Sequence, residues 1–342
     1  MEGRGVGFYD EQIKYGKAEQ QRRKEAPVLI RWDEVYPHLE GAKEAVYIVD
    51  PRLGFNNRTH RFWLNALPPG GEEGQQWKTL GHRHTVEAVI YWLQGSGYSI
   101  IDGIRYDWRA GDLICVPVFA WHRHINPTDE RVLYLACTSG PFSMALGQAV
   151  YEDERYPEYW VYAQEGEHAL RTLIPGGAGE RLELDERDAG ARSAARLYAE
   201  EVAFAAEEEQ RRRQGKVLVR AEELRFEPTA LGSLAYAVDP RIGFNVRTIS
   251  TLFAEIPPGG RSGAHRHLYD EIDHVLTGRG RAIISDRTYE IAKGDTLAVP
   301  VFAWHQYFND GDEPLRILRH NTRPTVEGLG LSLTHHGETA AD

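Results

Sequence analysis

The 342-residue chain is poor in sulfur, with two cysteines and two methionines. Cys115 and Cys137 both fall in the first half, in the apolar runs DLICVPV and RVLYLAC. Two thiols exclude a disulfide framework and a thiolate metal cluster, and each reads as a small buried hydrophobe rather than a nucleophile. No apolar run approaches the roughly 18 residues of a membrane span, and the N-terminus, MEGRGVGFYDEQIKYGK, lacks the apolar stretch of a signal peptide. Positive charge is short as well: 40 Lys and Arg against 51 Asp and Glu leave a net charge of -11. That balance argues against nucleic acid as a partner. The expectation is a soluble, cytoplasmic protein with no membrane and no nucleic-acid partner.

What the chain has in abundance is repetition. VPVFAWH stands at 116–122 and again at 299–305. Upstream, YIVDPRLGFNNRTHRFWLNALPPGG from Tyr47 aligns with YAVDPRIGFNVRTISTLFAEIPPGG from Tyr236 at an offset of 189, and QRRKEAPVLIRWDEV from Gln21 aligns with QRRRQGKVLVRAEEL from Gln210 at the same offset. After PPGG the offset drops to 183, so the first copy carries six extra residues in EEGQQWKTLG, the usual place for a loop insertion. A whole domain is duplicated. Within each copy, short runs rich in Val, Ile, Tyr and Phe are punctuated by Gly, Pro, Asn and Asp, an antiparallel all-β pattern. Helical spacing appears mainly in the charged segments ahead of each copy, whose charges read as solvated faces. The expected division is a first domain at 1–162 with a leading helix, a polar, glycine-rich linker at 163–194, and a second domain at 195–342 with its own leading helix.

Six of the fourteen histidines recur at matching places: His82, His84 and His122, then His265, His267 and His305. Each copy has His-x-His on a predicted strand, where side chains at i and i+2 share a face, and a third histidine 38 residues on. A lone histidine in such a run is more often a core residue, but recurrence of all three favours a metal site. Imidazoles without thiolates suit iron, manganese, nickel, copper or zinc rather than calcium or magnesium.

HRHLYDEIDHVLTG from His265 and GDTLAVPVFAWHQYFN from Gly294 resemble the two motifs of the cupin superfamily, with His265, His267, Glu271 and His305 at the metal-ligand positions. One departure is Phe302, where the motif usually has glycine. Residues 265, 267 and 271 are all odd, so the three side chains share one strand face. The resemblance implies an all-β fold of two tandem cupin barrels, double-stranded β-helix jelly rolls with flanking helices: a bicupin. GHRHTVEAVIYWLQG in the first copy keeps His82 and His84 but places Ala88 at the carboxylate position, with Glu87 one place early and directed away from the ion unless a bulge rotates it. His124 and Glu87 are outer candidates. A histidine triad without carboxylate resembles the gentisate and 1-hydroxy-2-naphthoate dioxygenases, and implies Fe(II), a small hydroxylated aromatic substrate and dioxygen.

That resemblance has a gap. Gentisate-type enzymes commonly carry an arginine for the substrate carboxylate on the strand after HRHT, and this chain has Ile90 there. Arg58 and Arg52 are candidate replacements, yet they recur as Arg247 and Arg241, which suits pairing with Asp50 and Asp239 or capping a turn. Trp121 and Trp304 are candidate walls of an aromatic pocket, with core packing as the alternative, and Tyr307 is a candidate proton donor. Asn126 and Asn309 read as loop stabilisers. The leading expectation is an Fe(II) ring-cleaving dioxygenase; the alternatives are a metal-dependent isomerase, decarboxylase or quercetinase-like oxygenase working at the C-terminal site with Glu271 as ligand and base, or a non-catalytic metal-binding protein. A homo-oligomer is expected.

Overall fold

The structure, a computed structural model, describes residues 7–41, 45–71, 79–156 and 193–337. Apart from its last two residues, the linker expected at 163–194 lies outside the described residues, as does most of the inserted loop.

Each copy folds into two facing antiparallel sheets. In the first, a six-stranded sheet runs Leu218–Val219, Leu113–Val116, Ala88–Gln94, Val132–Thr138, Arg61–Leu67, Ala45–Val49, against a five-stranded sheet ordered Tyr151–Asp153, His82–His84, His122–Ile125, Ser96–Ile101, Ile104–Arg109. The second copy repeats the plan with a seven-stranded and a five-stranded sheet. These are jelly-roll barrels, the architecture expected from the motifs. The leading helices form at Phe8–Glu25 and Ala194–Gln214, and neither buries a side chain, as their charge runs imply.

The larger sheets of the two barrels pack back to back, which explains why their strands lack an apolar/polar alternation. In RFWLNAL, Phe62, Leu64 and Ala66 join Phe253, Ile272 and Leu318 of the other copy in one apolar core, while Arg61, Trp63 and Asn65 face the first barrel's own interior. Both faces are covered, so both are largely buried. Cys115 and Cys137 are free thiols in this shared core, as the sequence implied.

Two exchanges tie the halves together. Leu29–Ile30, ahead of the first barrel, pairs with Leu297 and Thr296 of the second, and Leu218–Val219, ahead of the second, pairs with Ile114 and Leu113 of the first. Each leading arm therefore belongs to the opposite barrel. Buried carboxylates repeat the exchange. Glu87 accepts from the Arg247 amide, from Thr248 N at 2.8 Å and Oγ1 at 2.6 Å, and from Ile249 N at 3.3 Å. Asp270, its counterpart, accepts from Arg58 N at 2.8 Å and from Thr59 N and Oγ1 at 3.0 and 2.6 Å.

Three buried histidines line the same interface: His60, His274 and His320, with no more than 1% exposure. His274 Nδ1 lies 2.8 Å from Thr296 Oγ1, and His320 Nδ1 2.8 Å from Thr251 Oγ1. Burial lowers the pKa of all three, that of His274 to about 3.

Glu87→Ala leaves three amides and a hydroxyl without their acceptor, so it is expected to cost about 3 kcal/mol in denaturant unfolding. The histidines predict acid sensitivity. An unfolded imidazole takes its proton near pH 6.5, whereas folded His274 does so only near 3. Between those values the unfolded chain holds the extra proton, so the contribution is complete above pH 6.5 and is lost as pH falls, by about 1.4 kcal/mol per pH unit per histidine. The Tm followed from pH 7.5 to 4 is expected to fall from about pH 6.5 downward, and His274→Gln is expected to make the slope shallower.

Candidate metal centres

The strand His82–His84 is three residues long and pairs with the next ligand strand at a single register, His82 opposite His122. That pairing brings the third histidine across the barrel. Nitrogens of His82, His84 and His122 lie within 4.8 Å of one another. The Nδ1 of His84 lies 2.7 Å from the Val86 carbonyl, and that of His122 lies 2.8 Å from the Ala120 carbonyl. A carbonyl only accepts, so Nδ1 donates its proton there and the Nε2 lone pair is left for an ion. Burial, helped by the neighbouring histidines, holds His82 and His122 well below their ordinary pKa, and burial holds His84 at about 4. Three neutral donors result, a set that fits a transition metal.

The second centre is built alike: His265 lies opposite His305, the three nitrogens again lie within 4.8 Å, and the Nδ1 atoms of His265, His267 and His305 face the carbonyls of Gly263, Tyr269 and Ala303 at 3.3, 3.0 and 3.0 Å. Glu271 points inward as strand parity requires, its oxygens 3.4 Å from His267 Nε2 and 3.5 Å from His305 Nε2. Among the described residues, the buried His267 Nε2 has no hydrogen-bond partner, which suits a cation between it and Glu271. Burial alone would raise the Glu271 pKa, but Arg319 and the histidines hold it well below the carboxylate range.

The centres differ in what stands behind them. In the second, Arg319 Nε is 3.2 Å from Glu271, its guanidinium makes two 2.8 Å bonds to Asp273, and the Tyr307 hydroxyl donates to Asp273 at 2.5 Å. In the first, Ala136, Ala88, Ile90 and His124 stand at the places of Arg319, Glu271, Asp273 and Tyr307. His82 and His84 remain half-buried, whereas His265, His267 and His305 are all buried. The first centre is the open one.

Other sequence candidates are placed elsewhere. Arg58 is largely exposed and pairs with Glu19 of the leading helix at 2.7 Å, and its counterpart Arg247 pairs with Glu208 in the same way; both tether helices. Arg52 and Arg241 bind Asp50 and Asp239, the structural pairing weighed above. Trp121 and Trp304 lie against Arg83 and Arg266, each guanidinium 4.9 Å from the indole and 4.1 Å from Phe119 or Phe302. Arg83 sits between His82 and His84 on the strand, so these aromatics are behind the centre and wall no pocket at it. Phe119 and Phe302 adopt φ of 62° and 64°, the left-handed conformation for which the motif normally uses glycine, and the stacking on arginine accounts for the phenylalanine. Tyr307 is sealed in the second barrel by Asp273. Glu87 faces outward, and Asn126 binds loop carbonyls of Leu67, Pro68 and Glu130. Sequence reasoning missed Tyr151, whose ring centroid is 5.6 Å from that of His82 and 6.4 Å from that of His84. Its counterpart in the second copy is Thr334, so the repeat gave no signal for it.

Residues 63–138 and 252–320 each match the cupin domain family. The chain carries two cupin domains. Over 91% of its length, and 87% of the relative's, the chain is 25% identical to a gentisate 1,2-dioxygenase of Streptomyces sp.. It is also 25% identical to a 1-hydroxy-2-naphthoate 1,2-dioxygenase of Nocardioides sp., over 73% of its own length and 61% of that protein's. A solved salicylate 1,2-dioxygenase from Pseudaminobacter salicylatoxidans superposes with a TM-score of 0.65 at 17% identity, covering 91% of this chain and 88% of that one. That last likeness concerns the fold. No helix among the described residues is long and apolar enough to cross a membrane.

Protein purified without chelator is expected to carry between one and two transition-metal ions per chain by elemental analysis, with the C-terminal centre filled. His265→Ala with His267→Ala is expected to remove that ion, and His82→Ala with His84→Ala any ion at the first centre. An unchanged metal content in either double variant refutes the corresponding ligand set.

Proposed function

We propose that the bicupin is an Fe(II)-dependent dioxygenase that opens the ring of a hydroxylated aromatic acid of the gentisate, salicylate or hydroxynaphthoate type, and that the chemistry belongs to the N-terminal centre. The observation that carries this reading is the pairing of three neutral imidazoles, two of them half-accessible, with Ala88 where the second copy has Glu271. A ferrous ion held by His82, His84 and His122 would keep its full charge and three open positions, enough for an aromatic hydroxyl, a neighbouring oxygen and dioxygen. The relatives named above support the reaction class.

The surrounding side chains supply orientation and a dry pocket. Ala88, Ile90, Ala136 and Trp92 form an apolar wall, with Trp92 stacked on Trp108 at 3.4 Å between ring centroids. Tyr151 closes the side beside His82. His124 stands next to His122 on the inward face, its Nδ1 2.7 Å from Ser99 Oγ, which accepts the Trp108 indole N–H at 2.9 Å. Indole only donates, and the Ser99 hydroxyl has no other acceptor among the described residues, so it donates to Nδ1 and leaves the His124 proton on Nε2. Burial drops His124 to about 4, so it is neutral at pH 7 and can present that N–H to a substrate oxygen.

The C-terminal centre, with its four-ligand set, supports a metal site closed off by Arg319, Asp273 and Tyr307. It is the seat of chemistry in the rival reading of a decarboxylase or isomerase. Protein loaded in turn with iron, manganese, nickel and zinc should be given gentisate, salicylate and 1-hydroxy-2-naphthoate while dissolved oxygen and ring absorbance are recorded. Iron-dependent oxygen uptake is expected, lost by at least about 100-fold in His122→Ala and retained in His305→Ala. The reverse pattern moves the chemistry to the C-terminal centre, and turnover indifferent to oxygen rules out a dioxygenase.

A further inference from the structure

The leading helix Phe8–Glu25 lies across the second barrel, and between the two is a cavity of about 560 Å³ lined by none of the metal-ligand residues. Its walls are Arg23 and Lys24 of the helix, the turn that carries Arg287, and the rings of Tyr289, Phe302 and Trp304. Phe302 and Trp304 rest on Arg266, behind the ligand strand. The cavity is therefore separate from the centre inside the barrel.

The first barrel has a twin of this groove, differently charged. Glu209, Arg212 and Arg213 of the helix Ala194–Gln214 are the counterparts of Gln20, Arg23 and Lys24, while Asp102, Gly103 and Ile104 are those of Ser285, Asp286 and Arg287. Both turns close alike: the Asp102 amide donates to the Trp121 carbonyl at 2.8 Å and the Ser285 amide to the Trp304 carbonyl at 2.7 Å, with φ of 47° and 57°. In the first barrel the charges cancel. Glu209 pairs with Arg212 and, at 2.9 Å, with Arg213, and Asp102, which accepts from the Trp121 amide at 2.9 Å, feels both Glu209 and Arg213. Two cations there meet two carboxylates. In the second groove Gln20 and Ser285 take the places of both acids, and Arg287 adds a third cation against Asp286 alone. That lining carries two positive charges in excess.

The neighbourhood does not absorb the excess. Arg23 is half-buried, and its Nε, closed off from solvent, has no hydrogen-bond partner among the described residues. Glu19, one helical turn earlier, acts on Arg23 but is already bonded by Arg22 at 3.0 Å and Arg58 at 2.7 Å. One carboxylate thus serves three guanidiniums. Glu25 is bonded to Gln21 and does not line the cavity. A guanidinium N–H sealed from water without an acceptor is costly, and like charges gathered on one wall add to that cost. An anion in the cavity relieves both, and the volume falls within the roughly 300–1,000 Å³ of sites that take small organic molecules.

We propose that this cavity is a second ligand site, which binds an organic dianion with a flat apolar body, its acidic ends held by Arg23, Lys24 and Arg287 and its rings laid against Tyr289, Phe302 and Trp304. Guanidinium forks match the paired oxygens of a carboxylate. The aromatic walls supply the apolar contact, and two acidic groups cancel the two charges in excess. The site depends on neither metal centre.

The test is calorimetric titration of the full, metal-loaded chain with naphthalene-2,6-dicarboxylate, 2-naphthoate and 2-naphthalenemethanol, probes that share a ring system and carry two, one and no negative charges. The dianion is expected to bind about 100-fold more tightly than the alcohol and the monoanion about 10-fold, a decade for each charge-assisted contact. Gln20→Glu, which installs the carboxylate of the twin groove, is expected to weaken the dianion by about 10-fold and leave the alcohol unchanged. Arg23→Gln and Arg287→Gln are each expected to do the same. Gln20 is exposed on the helix, so Gln20→Glu decides the matter where an arginine variant fails to fold. Equal affinity for the three probes, no binding of the dianion, or a dianion affinity untouched by Gln20→Glu overturns the proposal. Dianion binding preserved in both His122→Ala and His305→Ala supports it. Binding lost in either of those variants and intact in Arg23→Gln places the dianion on a metal and overturns it.

Discussion

Neighbouring residues of a strand point to opposite faces, and the organisation of this protein hangs on that alternation at one pair of positions. Glu87 and Asp270 point out of their barrels and clamp the Thr248 and Thr59 loops of the opposite halves. Ala88 and Glu271, one residue later, point in and decide what each centre can hold. A one-residue slip in either strand would swap these roles and destroy the interface and the site together. The outward carboxylates are in turn held by backbone amides across a shared apolar core, so centre and interface are set by the same strands.

The two barrels show one plan filled in two ways. Both retain three histidines, with Nδ1 anchored on carbonyls at His84 and His122 in the first and at all three in the second, the part of the design that aims imidazoles at an ion. The second adds a carboxylate and backs it with a buried network of Arg319, Asp273 and Tyr307, which fills the interior. The first loses the carboxylate, aspartate and arginine as a set, and small apolar side chains take their place. Removing one member of a buried ionic network would strand the others, so their joint replacement is what low-dielectric energetics requires. Space is gained in the barrel whose ligands remain accessible.

Arginines illustrate how position alone separates roles that composition cannot. Arg58 and Arg247 recur, and both tether leading helices; Arg52 and Arg241 recur, and both saturate an aspartate; Arg83 and Arg266 recur, and both are sandwiched between a phenylalanine and a tryptophan. Arg61 does not recur, and its guanidinium rests on Tyr47 and Trp63 where the second copy has Ser250. Recurrence in this chain marks architecture, and difference between the copies marks specialisation.

The duplication, the all-β class, the histidine triads and the outward direction of Glu87 were all determined by the sequence alone, because an exact heptapeptide repeat and a strand period of two are local properties, while the barrel was what the resemblance of the two motifs implied. The partner of Glu87, some 160 residues away, was not legible, nor was the exchange of leading arms, since pairing across halves leaves no local pattern. Trp121 and Trp304 looked like pocket walls by adjacency to the third histidine; their stacking on Arg83 and Arg266 on the far side of the ligand strand depends on how a turn closes. Tertiary structure also decided which centre is open. That depends on whether Arg319, from a strand 48 residues beyond Glu271, reaches back to fill the barrel, and only the folded register of those strands brings the two charges to 3.2 Å.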